Sequence, residues 1–410
     1  MSNQTQTLKD LRAPRSDACH ISIISSDTGP VVKRFRYVDG KIHSEPRAAL
    51  YRGTARTEVA NTPLELHDVI SELGDNEALA LGVLDQVDQA YRLSTEQLRQ
   101  PGEIARTKAY FSSNEGLGWG LLDIDTKGLP ERTRERLGDS DVIAALFRVV
   151  PQLERHSHLI RMSSSAGIIA PGQKPASVQS QHVYFQLEYA PQLPHVLAAI
   201  HDLCWLSGLG YMSIAKNGKI LDRSLIDKAV AGPERLIFEA PPIVEPPLTR
   251  ALPSSYLHTA TPLSELIAPN PCEVRLVKQK AREEIRAEAE LTARNYETVE
   301  VDRISRNSNI TRTEAQKIFR LRTRGRELCD DDVIEVGPKI FERVGDFLDR
   351  VTDPTPIPCP VEGSEYGLTT AYFYPPDSHA PVARIISFAH GEMTHFSFTR
   401  FKKLKGLRWL

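Results

Sequence analysis

The chain has 410 residues, of which 40% are hydrophobic and 25% charged, and a net charge of −2. That length exceeds one ordinary hydrophobic core, so two or three domains are expected. Near-neutral charge argues against a protein that coats nucleic acid by bulk electrostatics, although the charge is unevenly distributed. No run nears the roughly 20 apolar residues of a membrane span, and the scattered cysteines, with no Cys-x-x-Cys pair, argue against a zinc or disulfide framework.

The polar start, MSNQTQTLKDLRAPRSD, lacks a signal-peptide core, so a cytoplasmic location is the expectation. The first hundred residues read as mixed α/β. His20 to Ser25 and Val31 to Tyr37 are strand-like, with Asp39-Gly40 as a turn signal. Thr62-Pro63-Leu64-Glu65 opens a helix to about Leu73, because a threonine cap, a first-turn proline and an acid three residues on satisfy its free N–H groups. Gly118 to Ile124 is an apolar strand that carries Asp123 and continues to Asp125. Residues two apart on a strand share a face. Two carboxylates there repel unless a cation joins them, and a hard divalent ion such as Mg²⁺ takes such oxygens together with substrate phosphates. A pair of solvated acids at a strand end is the alternative.

Asp141 to Gln152 reads as an amphipathic helix with Val142, Leu146, Val149 and Val150 inward. Ser180 to Leu187 reads as a strand with Val183, Phe185 and Leu187 buried, which assigns Ser180, His182 and Tyr184 to an exposed face. A hydroxyl and an imidazole side by side can hydrogen-bond phosphate oxygens, although a lone strand histidine is commonly structural. Leu225 to Val230 sets Asp227 among apolar residues, and Arg235 follows as a planar cation suited to phosphate or to a salt bridge.

Eight prolines fall from Pro241 to Pro271, a density that favours an extended connector. Beyond it Val274 to Asn295 is charged and helical, and Thr311-Arg312-Thr313-Glu314 is a capping box for a helix to about Arg322. These helices fit either a helix-turn-helix or a plain spacer. Eight Lys/Arg lie between Arg303 and Arg326, with Glu314 and the preceding Asp302 as acids, and Arg400, Lys402, Lys403, Lys405 and Arg408 crowd Phe401 and Trp409. Such patches suit phosphate contact and base stacking, and equally a solvated face. Gly367 to Tyr374 and Ala383 to Ala389 return to strand character. No Gly-x-x-x-x-Gly-Lys-[Ser/Thr] occurs, which argues against an ATP-driven motor.

Taken in order, hydrophobic-Asp-hydrophobic-Asp at Asp123 and Asp125, Ser-x-His at Ser180 and His182, and hydrophobic-Asp at Asp227 resemble the three motifs of the archaeo-eukaryotic primase superfamily, the primase-polymerases. The resemblance implies that Asp123, Asp125 and Asp227 are catalytic and hold two Mg²⁺ or Mn²⁺ ions. It gives nucleotide binding to Ser180 and His182, with Arg235 in nucleotide or structural support. Ser163-Ser164-Ser165-Ala166-Gly167 resembles the serine-rich turn that precedes Ser-x-His in phage and plasmid members. Pro360 to Gly367 and Ile385 to Gly391 resemble the segment that follows this domain in mobile-element replication proteins, with His390 itself read as a structural strand-end histidine.

The fold so implied is α+β: an RRM-like antiparallel sheet with helices and an N-terminal α/β part. The expected domains are a catalytic unit over 1–245, a Pro-rich linker over 246–272, a helical region over 273–350 and a small β-rich module with a basic tail over 351–410. The implied activity is DNA primase or polymerase chemistry on a single-stranded DNA template with NTP or dNTP, in a bacterial host, beside a separate helicase and without membrane attachment. A catalytically silent replication initiator or DNA-binding protein is the alternative. A glycosyltransferase, which can also use Asp-x-Asp, would be expected to start with a Gly-rich βα turn that this chain lacks.

Overall fold

In a computed structural model, the residues described are 17–399 except 46–49, 86–88, 96–98, 127, 138–140, 174–179, 309–310, 321–322, 324–325, 331, 365, 377–380 and 390–392. The basic tail from Arg400 and the His390-Gly391 pair therefore lie outside the described residues, as does part of the spacer before Ser180. The architecture is α+β, and the chain divides into two compact units, Met1–Tyr211 with Asp222–Ala281, and Met212–Leu221 with Arg282–Leu410. No helix among the described residues is long and apolar enough to cross a membrane.

The first unit contains two main sheets. One runs β5 (Glu77–Ala80), β1 (His20–Ser26), β4 (Gly53–Val59), β6 (Tyr91–Ser94), β7 (Ile104–Ala105). The other is wholly antiparallel and runs β16 (Tyr256–His258), β9 (His158–Met162), β11 (Gln181–Leu187), β8 (Gly118–Ile124). Smaller pairings join β14 (Ile243–Val244) to β2 (Arg34–Val38) and β3 (Lys41–Glu45), and β10 (Ile168–Ile169) to β15 (Thr249–Arg250).

The helices of this unit are α1 (Pro63–Ser71), α2 (Glu131–Leu137), α3 (Val142–Val149), α4 (Pro151–Arg155) and α5 (Leu193–Leu206). The cap expected for α1 is made. Thr62 Oγ1 accepts the Glu65 N–H at 3.2 Å while Glu65 Oε2 accepts the Asn61 N–H at 2.6 Å, an arrangement that stabilises a helix start by about 1 kcal/mol. The helix expected over Asp141 to Gln152 is two helices. Asp141 caps α3 through the Ile143 N–H, and Pro151, which cannot donate to the preceding turn, starts α4.

One core joins the sheets through Ile21, Ile23, Trp119, Leu121, Leu122, Ile124, Val183, Phe185 and Leu197. Both faces of β11 are buried, so the alternation read from Ser180 to Leu187 has no exposed side: His182 is 7% exposed, Tyr184 0% and Gln186 5%. The polar residues of that face meet a second layer of protein rather than solvent. Gly120 marks how tightly the strand is covered, since a Cβ there would stand 2.5 Å from Phe185 and 2.7 Å from Leu193.

The Pro-rich stretch differs from the expected linker. β15 and β16 come from residues 246–272 and pair inside the first unit, which continues to Ala281. Prolines between such short strands do not interrupt a ladder, because edge pairings of two or three residues leave few N–H groups to lose. The hairpin β12 (Tyr211–Ile214) and β13 (Ile220–Arg223) precedes the Asp227 segment.

α6 (Pro271–Ser308) is longer than its expected span, and α7 (Arg312–Arg320) follows. The second unit is then largely β. Its sheet runs β17 (Glu327–Cys329), β23 (Thr394–Thr399), β22 (Arg384–Ser387), β21 (Ala371–Tyr374), β20 (Thr355–Ile357), beside the hairpin β18 (Val333–Gly337) and β19 (Ile340–Arg343) and the helix α8 (Val344–Arg350). The region 273–350 is thus helical at its two ends, with the strands β17, β18 and β19 between. Phe347, Phe373 and Phe396 form the heart of this unit's core.

Candidate active site

Three chain segments read as separate motifs meet at the end of β8. In the antiparallel register His182 of β11 stands opposite Asp123 of β8 and opposite Arg161 of β9. Directly opposed residues share a face, so Arg161, His182 and Asp123 form a row across three strands. The Asp227 segment joins on the outer side of β8, where Ile226 bridges Ile124 and the Asp227 N–H donates to the Asp123 carbonyl at 3.0 Å.

Each carboxylate engages a neighbouring group through its Oδ1. Asp123 Oδ1 is 3.4 Å from His182 Nε2. Asp125 Oδ1 accepts the Ser180 hydroxyl at 3.0 Å, and Ser180 Oγ in turn accepts the Thr126 N–H at 3.3 Å. Asp227 Oδ1 accepts the Ala229 N–H at 2.9 Å, capping the 3-10 turn Lys228–Ala231. Arg235 supports that turn by donating to the Ala229 carbonyl at 2.8 Å.

Among the described residues no group of three or more His, Cys, Asp and Glu side chains is gathered closely enough to hold a metal ion. The donor set nevertheless suits Mg²⁺ or Mn²⁺. Its ligands are carboxylate oxygens, each with lone pairs beyond the hydrogen bond it accepts. Mg²⁺ characteristically takes one or two carboxylates and completes its shell with water and substrate phosphates.

The residue that organises the row is Glu239, which is 3% exposed. Its Oε1 accepts from His182 Nδ1 at 2.5 Å and from the Tyr184 hydroxyl at 2.6 Å, while Oε2 stands 3.2 Å from Arg161 Nε. Both imidazole nitrogens thus face carboxylates. Burial alone would drive the His182 pKa down, but the charge of Glu239 and the hydrogen bonds to Asp123 and Glu239 outweigh it and raise the value to about 10. His182 is therefore an imidazolium with both N–H groups engaged.

Burial works to raise the Asp123 carboxyl, yet His182, helped by the charges of Lys33 and Arg235, holds it below its ordinary value. Glu239 is likewise lowered against its burial by His182, Arg161 and Tyr184. Burial and Glu239 raise the Tyr184 phenol well above its usual range.

The His182 shift has a sign that can be measured. A folded-state pKa above the unfolded value of about 6.5 contributes stability that is complete below that value and is lost as pH rises through about 10. The urea midpoint of the native chain should fall between pH 7 and pH 10 by more than that of His182→Gln. Parallel declines would mean that the imidazolium contributes nothing.

The serine turn also lies at this site. The Ser163 N–H donates to the Ser180 carbonyl at 3.1 Å, and Arg250 of β15 donates to the carbonyls of Ser163, Ser164 and Ala166 at 3.3 to 3.4 Å for the serines and 3.2 Å for the alanine. Glu239 and Arg161 were not singled out from the sequence. Each is a charge inside an apolar run, Leu236 to Ala240 and His158 to Met162, and such residues need a buried partner. That signal was present.

No protein-family model, no curated protein and no solved structure matches this chain.

Proposed function

We propose that the chain is a primase-polymerase that joins nucleotides on a single-stranded DNA template. The observation that carries this reading is the convergence of Asp123, His182 and Asp227, which are far apart in sequence, on one strand end, with Asp125 and Ser180 hydrogen-bonded beside them. The four-stranded antiparallel sheet that presents them is consistent with an RRM-like core.

Asp123, Asp125 and Asp227 would hold Mg²⁺ or Mn²⁺, which when bound supplies Lewis-acid activation of a hydroxyl and charge neutralisation at the phosphates. His182 has a fixed role in this scheme. It orients Asp123, keeps it ionised and adds positive charge beside the incoming phosphates. Ser180 orients Asp125 in the same way. The Lys228–Ala231 turn, closed by Arg235, holds the Asp227 backbone against β8. Preorganised charge of this kind costs no reorganisation during reaction.

The test is incubation of the purified chain with single-stranded DNA, labelled NTP or dNTP and Mg²⁺ or Mn²⁺, with and without a primer. Metal-dependent products without primer establish a primase, and products only with primer a polymerase. Binding of DNA with neither product would favour the silent initiator.

A further inference from the structure

Arg161 carries hydrogen-bond donors that its surroundings do not use. Its side chain is 16% exposed, and its Nε and Nη1 are buried atoms with no hydrogen-bond partner. The Nε lies at ion-pair distance from Glu239 Oε2 without hydrogen-bond alignment, and that oxygen too lacks a hydrogen bond. Unpaired buried donors are uncommon and cost about 1–3 kcal/mol each, more when charged.

Other cations stand close to Arg161. The cations here are the buried His182 and the partly exposed Arg161 and Arg250, facing the carboxylates of Glu239, Asp123, Asp125 and Asp227. Arg250 is lowered by burial and then by the charge of Arg161, so the two guanidiniums oppose one another. Lys33 and Arg235 add positive charge around Asp123.

Histidine 182 is the residue the motif assigns to the nucleotide, but its Nδ1 is held by Glu239 and its Nε2 stands 3.4 Å from Asp123. Its neighbour in the row has N–H groups to give. We infer that Arg161 is the principal side-chain donor to the phosphate chain of the incoming nucleoside triphosphate, with Arg250 and the serine turn it holds providing the adjacent positive wall. This rests on the proposed nucleotidyl-transfer reading and adds a residue to it. A compact triphosphate suits the place better than a DNA backbone, because Arg161 is largely buried whereas single strands track along open grooves.

The test is calorimetric titration of the full chain with inorganic tripolyphosphate and with a nucleoside triphosphate, in metal-free buffer so that the carboxylates take no part. Arg161→Lys keeps a charge against Glu239 but loses the planar fork, and should weaken tripolyphosphate binding about tenfold; Arg161→Gln should weaken it about a hundredfold. Unchanged affinity in both variants would overturn the inference, as would weakening confined to a single-stranded oligonucleotide. If the variants do not fold, phenylglyoxal modification of native Arg161, read by peptide mass, should be slowed by tripolyphosphate; an unaffected rate overturns the inference. Arg161-dependent triphosphate binding by a chain that makes no polymer would uphold the anion site and remove the polymerase reading. Absence of tripolyphosphate binding in the native chain would overturn the inference and leave the polymerase reading to the metal-dependent incorporation assay.

Discussion

Asp123→Asn should lower metal-dependent nucleotide incorporation by on the order of 10³-fold, the scale on which a single preorganised electrostatic group acts. Asparagine preserves the shape of the side chain and an acceptor for His182, so the row across β9, β11 and β8 stays assembled. The lost quantity is the ionised oxygen that would bind the metal. The fold should be retained, because His182 keeps Glu239 as its second and better-aligned partner. Incorporation at a tenth or more of the native rate by a well-folded variant would mean that Asp123 only balances the charge of His182. Asp125→Asn should behave alike, with Ser180 losing its charged acceptor.

Glu239→Ala should have the largest effect on stability. It strips one carboxylate from three buried groups, His182, Tyr184 and Arg161, and leaves two cations facing each other. Breaking a buried pair from one side costs about 3–5 kcal/mol, or a fall in thermal midpoint of roughly 10 °C for a unit of this size. Glu239→Gln keeps the volume and an acceptor for the Tyr184 hydroxyl, so its loss should be smaller. The native carboxyl is lowered in the folded state. Its contribution is present above the ordinary carboxylate range and is lost as pH falls through the folded value, and that acid-sensitive part should vanish in Glu239→Gln. A loss below about 1 kcal/mol for Glu239→Ala would show that water or rearrangement satisfies the three groups.

Local signals carried the strands and caps well. Gly118–Ile124 is the strand expected from its apolar run, and Thr62 caps the helix expected after it. These features depend on residues within a turn or two of each other. The pairing of β8 with β11 depends instead on residues nearly sixty positions apart, and the burial of His182 on Glu239, which arrives from still further along the chain. Period-2 alternation in Ser180 to Leu187 described one apolar face correctly. It could not show that the polar face is covered by a second layer, because a paired buried charge and a solvated one look the same in sequence.

The proline-rich stretch failed for a related reason. Proline density forbids long regular elements, but β15 and β16 are only two and three residues long. Their place in the sheet is set by the partner strands. In the site, Asp123, Asp125, Ser180, His182 and Asp227 come together, while Glu239, which binds His182, and Arg161 beside it lie in apolar runs that look like plain core strands in sequence.

The most direct test of template-directed transfer at this site is to offer the native chain a single-stranded template of one repeated base and each of the four labelled nucleotides singly, with Mg²⁺ or Mn²⁺. The account predicts incorporation of the complementary nucleotide only, abolished by chelation and by Asp123→Asn. Incorporation without regard to the template, or activity that survives in Asp123→Asn, would contradict it.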